Sequence, residues 1–311
     1  MRRMRIEHTT TYTYSNPVDF GTHRLLLRPR EGHDIRIETS KLEIDPKYTI
    51  HWHRDAYNNS VGVVSFSKPA ARLNIFSETV IQNHEDAPLD FIVAEYAVNF
   101  PFHYDPAERT GLMPFLLSVY PDDSFRVRDW LFQFWKPGQI IETYVFLDIL
   151  NKAISNRFGY MVREEPGVQS PAATLSGNTG SCRDFATLLI EACRYVGLAA
   201  RFLTGYLHFD PTEKGHGATH AWAEVYLPGP GWKGFDPTSG ELVGNNHIPV
   251  AVNRHPEAVP PISGSFMGKL SQPPAMEVNL RVIELDQKTS TAPSVQSDGQ
   301  RGTLKTAGGT N

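Results

Sequence analysis

From Met4 to about Gln82 the chain alternates apolar or β-branched residues with polar ones, in runs such as IEHTTTYTY, HRLLLRP, IRIETSKLEI, YTIHWHR, VGVVSF and LNIFSETVIQ. Residues two apart on a strand share a face, so runs of this kind bury one side of a sheet and cannot settle as helices. Turn formers separate them at Asn16-Pro17, Pro29, Asp45-Pro46, Asn58-Asn59 and Pro69. Short strands joined this closely predict an antiparallel β-sandwich or barrel, and residues 1–84 are expected to form an all-β domain.

The period then changes. A mixed segment, 84–106, leads to helical spacing at 125–135 and 140–158, and a Gly/Pro/Ser/Thr-rich loop spans 159–180. A helix at 182–196 follows, then strands ARFLTGYLHF, ATHAWAEVYL and WKGFD, the last two divided by PGPG at 228–231. Helices followed by antiparallel strands predict an α+β core over 85–285. A chain of 311 residues fits two domains. Residues 286–311 carry almost no large apolar side chains and are expected to be a disordered tail.

The formal charge of −4, from 30 basic and 34 acidic residues without long runs, argues against nucleic acid or an anionic membrane as a partner. The start, MRRMRIEHTTTYTYS, is basic but lacks the apolar stretch of a secretory signal, and no run reaches the roughly 18 apolar residues of a membrane span. A cytoplasmic location is the expectation. No EF-hand loop or dense carboxylate cluster calls for calcium, and no cofactor is expected.

Chemistry concentrates at GSCRDFATLL, residues 180–189. With Ser181 as N-cap, Asp184 falls at N3 in a capping box, and Cys182 becomes the first helical residue beside free N–H groups and the positive helix end. That position favours the thiolate, the nucleophilic form. Phe185, Leu188, Leu189, Ala192 and Val196 follow helical spacing and anchor the element in a core. Cys193 reads as a small buried hydrophobe. Along one helix it lies ~16 Å from Cys182, too far for a disulfide, which needs less than about 7 Å.

A thiolate needs a base, and the base an orienting group. Alternation puts His220, Trp222 and Glu224 on one face of ATHAWAEVYL, and a hairpin centred near Pro228 would set Asp236 opposite His220. Tyr206 and Trp222 are candidates for an aromatic wall of the cleft. Arg183 reads as part of a solvated first turn.

These segments, GSCRDFATLLIEACRYVGLAARFLTGYL and THAWAEVYLPGPGWKGFDPTSG, resemble the core of the transglutaminase-like superfamily, which carries Cys, His and Asp in this order on a helix and two strands. TYTYSNPVDFGTHRLLLRPRE is similar to the β-domain that precedes this core in bacterial transglutaminase-like proteins, a group that includes proteins classed as cysteine proteases. The resemblance covers roughly residues 4–285 and implies a papain-like core. In it Cys182 is nucleophile, His220 general base and then acid, and Asp236 the orienting carboxylate, acting on a protein or peptide through a thioester. Hydrolysis is the expected outcome, with amine transfer the alternative. Where the family often has Gly-Val before the Cys this chain has Gly-Ser, and of the oxyanion donors only the Cys182 N–H is assignable.

Two other classes compete. His216 with His220, and His51 with His53, have spacings that can hold a metal, but Gly217 and a strand context spoil the first as a helical pair. The second reads as an exposed strand face, which leaves a zinc hydrolase a distant alternative. The other is a non-catalytic peptide-binding module.

Overall fold

The alternating N-terminal runs form six strands: β1 (Arg2–Phe20), β2 (His23–Leu25), β3 (Ile35–Asp45), β4 (Tyr48–Arg54), β5 (Ser60–Phe66) and β6 (Ala70–Asn83). The structure is a computed structural model and describes residues 1–84, 89–163, 165–209 and 217–285; the tail expected from 286 onward lies outside these. The expected break at Asn16-Pro17 does not end β1. The strand continues through an irregularity between Thr13 and Val18 that resets its register against β6, which is how a strand accommodates a proline. Two antiparallel sheets, one containing β1, β6 and β3 and the other β2, β5 and β4, enclose Tyr14, Val18, Leu25, Val64, Leu73 and Ile75.

The core follows with β7 (Asn99–Phe100), α1 (Pro106–Leu116), α2 (Ser124–Leu131), β8 (Ile141–Glu142) and α3 (Thr143–Arg157). Helix α1 is absent from the sequence reading because Gly111 and Pro114 interrupt its period. Its start is secured by Asp105, which accepts from the Ala107 N–H, and by Pro106 in the first turn. The segment 159–180, expected to be a loop, contains β9 (Gly159–Tyr160), α4 (Pro171–Gly177) and β10 (Thr179–Gly180). Next come α5 (Cys182–Tyr195), β11 (Ala200–Leu207), β12 (Ala218–Leu227), β13 (Gly231–Asp236), β14 (Glu241–Leu242) and β15 (His247–Asn253).

Strands β14, β13, β12, β11 and β15 form one antiparallel sheet in that order. Ala221, Ala223 and Val225 of β12 and Phe202 of β11 pack with Phe185, Leu188, Leu189 and Ala192 of α5. The small alanines let the helix lie close to the strand. Every residue of α5 from Asp184 to Arg194 is buried, so the helix is enclosed on all sides. Cys193, fully buried, has its thiol pKa pushed up to about 12 by that burial, as expected of a core residue.

The sheets depart from the division at residue 84. After β15 the chain returns as β16 (Ile262–Ser263), β17 (Phe266–Met267) and β18 (Ala275–Leu285), which pair with β2 and, for the last two, β1. The long β1 presents a second free edge, and only an extended segment from elsewhere in the chain can satisfy its N–H and C=O groups. Met4, Ile6, Ile81 and Val282 belong to the same apolar cluster as α5, so sandwich and core share one interior. Buried polar groups cross that junction: the Tyr206 hydroxyl donates to the Leu27 carbonyl (3.2 Å) and lies 3.1 Å from His8 Nδ1.

Gly205 of β11 sits where a Cβ would lie 2.1 Å from the Ile248 carbonyl oxygen and 2.7 Å from the Trp222 ring. Backbone cannot yield as a flexible side chain does. Gly205→Ala is therefore expected to destabilise the chain by about 1–3 kcal/mol or more, as overpacking does, measured by denaturant unfolding.

Candidate active site

The approach to Cys182 is fixed before the helix begins. Strand β10 pairs in parallel with β9 and ends at Gly180, where a Cβ would press at 3.0 Å against Asp184 and the Phe185 ring. Asp184, fully buried, accepts at Oδ2 from the Ser181 N–H and hydroxyl, both at 2.8 Å. Its Oδ1 accepts from Gln169 N–H (2.7 Å) and Arg163 Nη1 (2.8 Å). The expected capping box is present, and the carboxylate also ties the preceding loop to the helix start. A buried charge with four donors is stabilised where an unpaired one would be costly. Arg183 is not simply solvated, because its guanidinium donates to the Arg163 and Glu165 carbonyls.

Cys182, half-buried, meets His220 at a cleft of about 480 Å3. The imidazole Nε2 lies 2.8 Å from Asp236 Oδ2, and His220 lines the same cleft as Cys182. With Nε2 committed to the carboxylate, Nδ1 is the ring nitrogen left for sulfur. The expected register is not the observed one: Leu227 faces Gly231 and Ala223 faces Phe235, which brings Asp236 level with Trp222 and diagonal to His220. The PGPG turn closes one position later than assumed. Moving the centre by one residue moves each partner by two, so Asp236 keeps its face and the diagonal remains within reach.

Burial alone would lower the His220 pKa, but hydrogen bonds to Asp236 and Cys182 and their charges outweigh it and raise the pKa above the ordinary 6.5. For Asp236, burial pushes upward, and hydrogen bonds from His220 and His247 outweigh it, holding the carboxyl well below 3.8. The favoured state is imidazolium beside carboxylate.

Neither expected wall residue faces the cleft. Tyr206, 2% exposed, turns its hydroxyl to the N-terminal sheet, and Trp222, fully buried, lies under His220 with ring centroids 6.1 Å apart. His8 of β1 packs edge-on against Tyr206, and Trp222 is buried among Leu203, Val252, His220 and His247. The aromatic near the thiol mouth is Tyr160 of β9, 54% exposed, whose phenol pKa is raised by burial and by neighbouring Cys182 and Asp236.

The residue missed in the sequence is His247, whose Nε2 lies 3.2 Å from the same Asp236 oxygen. Its signal was a histidine heading the apolar run HIPVAV, a place where a polar side chain becomes buried. His220, Asp236 and His247 are the single cluster among the described residues with metal-ligand geometry. They fit a metal poorly, since His247 Nδ1 accepts from Gly244 N–H (3.4 Å), leaving the proton on Nε2 where a metal would need a lone pair. His51 and His53 are exposed on β4 as expected, and His216 lies outside the described residues. Among the described residues no helix is long and apolar enough to cross a membrane.

Comparison with known proteins gives two family matches. Residues 4–82 match the bacterial transglutaminase-like N-terminal region, and residues 142–237 match the transglutaminase-like superfamily. An uncharacterized protein of Mycobacterium tuberculosis is 28% identical over 310 residues, covering 91% of this chain and 93% of its own. One from Mycobacterium leprae is 22% identical over 275 residues, covering 86% and 95%. A crystal structure from Cytophaga hutchinsonii, described as a candidate cysteine protease, superposes with a TM-score of 0.68 at 20% identity, covering 92% of this chain and 91% of that one. At that identity the likeness speaks for the fold.

The ion pair sets a pH window for stability. The Asp236 contribution is complete above about pH 4 and fades as pH falls toward its depressed value; the His220 contribution is complete below 6.5 and fades as pH rises toward its raised value. The unfolding free-energy gap between wild type and Asp236→Asn is expected to be widest between those limits and to narrow on both sides, as read from urea titrations across pH.

Proposed function

The chain is a transglutaminase-like superfamily protein with a bacterial transglutaminase-like N-terminal region, and on that premise we propose that it is a cysteine-dependent acyl-transfer enzyme that hydrolyses peptide or carboxamide bonds. The observation that supports the reading is the His220 imidazole, paired with buried Asp236, lining the same cleft as Cys182.

In the proposed reaction the Cys182 thiolate attacks the substrate carbonyl carbon, forming a C–S bond while the carbonyl electrons move onto oxygen. The Cys182 backbone N–H, at the helix start, is a donor for that oxyanion. Collapse of the adduct breaks the C–N bond, and His220 gives its proton to the departing amine, leaving a thioester. Neutral His220 then takes a proton from water as the oxygen attacks the thioester. The C–S bond breaks, and the carboxylic product and the thiolate–imidazolium pair remain. Asp236 stabilises the imidazolium and holds the ring in the orientation both steps require.

Apolar side chains dominate the cleft wall, among them Phe202, Val168, Val259, Ile262 and Met276, which supports a peptide acyl donor with an apolar side chain near the reacting carbonyl. The fold of the Cytophaga hutchinsonii protein is in keeping with a protease-like use of this scaffold.

Iodoacetamide labelling read by intact mass at pH 6.5 tests the thiol. Cys182 is expected to label quickly, and His220→Ala to slow it by at least about tenfold, while buried Cys193 stays unlabelled as an internal record of folding. Equal, slow labelling of Cys182 in both proteins would overturn the reading. A casein and peptide panel with and without a primary amine then separates the outcomes. New chain ends formed without amine incorporation are expected.

A further inference from the structure

We propose that His247 is a positioning residue for this array, acting through Asp236. The inference rests on the acyl-transfer reading above and concerns how the orienting carboxylate is itself held.

Asp236 is 1% exposed, yet all its hydrogen-bond partners are donors. Oδ1 accepts from Thr238 N–H (2.9 Å), and Oδ2 lies 2.8 Å from His220 Nε2 and 3.2 Å from His247 Nε2. A buried carboxylate needs its acceptor sites filled to remain ionised and to keep one orientation. His220 must give up and regain a proton at its sulfur-facing side during the cycle. His247 supplies Oδ2 with a donor that the reaction does not disturb.

The tautomer of His247 is fixed locally. Its backbone N–H donates to the Gly244 carbonyl (2.9 Å), and Gly244 N–H returns to Nδ1 (3.4 Å), so the proton resides on Nε2 and points at Asp236. The Trp222 ring meets His247 edge-on at 5.2 Å and lies beside His220 at 6.1 Å with the planes 30° apart, so one buried indole packs beside both imidazoles that face the carboxylate. Beyond His247, a small cavity of about 110 Å3 is lined by Asp34, Glu224 and Lys233. Glu224 is paired with Arg201 at 2.6 Å, so the charged groups on this far side are Asp34, that pair and Lys233.

The test compares His247→Asn with His247→Gln in the full chain. Asn keeps an acceptor for Gly244 N–H but falls short of Asp236, whereas Gln reaches both. Cys182 labelling by iodoacetamide is followed from pH 5 to 9. His247→Asn is expected to label about tenfold more slowly on the acid side, its rising limb displaced upward by about one pH unit, as loss of a hydrogen bond to a charged group implies. His247→Gln is expected to restore most of the rate. With a cleaved peptide in hand, kcat falls in His247→Asn and KM does not.

Wild-type profiles in both variants, with His220→Ala still slow, would overturn the positioning role and leave the acyl-transfer reading intact. A wild-type profile in His220→Ala would overturn that reading itself. Should His247→Asn expose Cys193 to labelling, His247→Phe fills the ring volume without a donor and carries the same expectation.

Discussion

A helix enclosed on every side has no water to satisfy its polar side chains, and α5 is such a helix. Asp184 at its start draws donors from Ser181, Gln169 and Arg163. Near its end Glu191 accepts from Ser118 and Arg194, and Arg194 donates to the carbonyls of Ala200 and Arg254. The polar residues that look like a solvated face are thus the fastenings of neighbouring loops. The thiol stands where this buried rod reaches the surface, and its position inherits the rigidity of everything fastened to the rod.

What was legible in the sequence was local. The capping box at Ser181 and Asp184, the burial of Cys193 and the shared face of His220 and Asp236 depend on spacings of a few residues or on one hairpin. The register illustrates the limit: the turn closes one place later than its composition suggested, yet parity kept the Asp236 carboxylate on the His220 side. The run HIPVAV signals that His247 is buried but not that it meets Asp236, because β15 reaches β11 by long-range pairing, and no local pattern announces which strand will lie beside Leu207. Tyr206 and Trp222 were misread for the same reason, since an aromatic on a strand face becomes cleft wall or core according to what covers it.

The division of the chain into sandwich and core was also blurred by pairing at a distance. Strand β18 lies along β1, and Met276 on it lines the cleft that holds Cys182 and His220. His8 and Tyr206 meet across the same junction, with His8 held neutral by burial, its pKa lowered to about 4. The N-terminal sheet is therefore part of the architecture of the cleft and not a module hung beside it.

That arrangement makes one ladder a hinge point for the site. β18 satisfies an edge of β1 along residues 275–285 and carries Met276 to the cleft, so fraying of that ladder would strip one wall from the cleft while the His220–Asp236 pair, held on the other sheet, stayed in place.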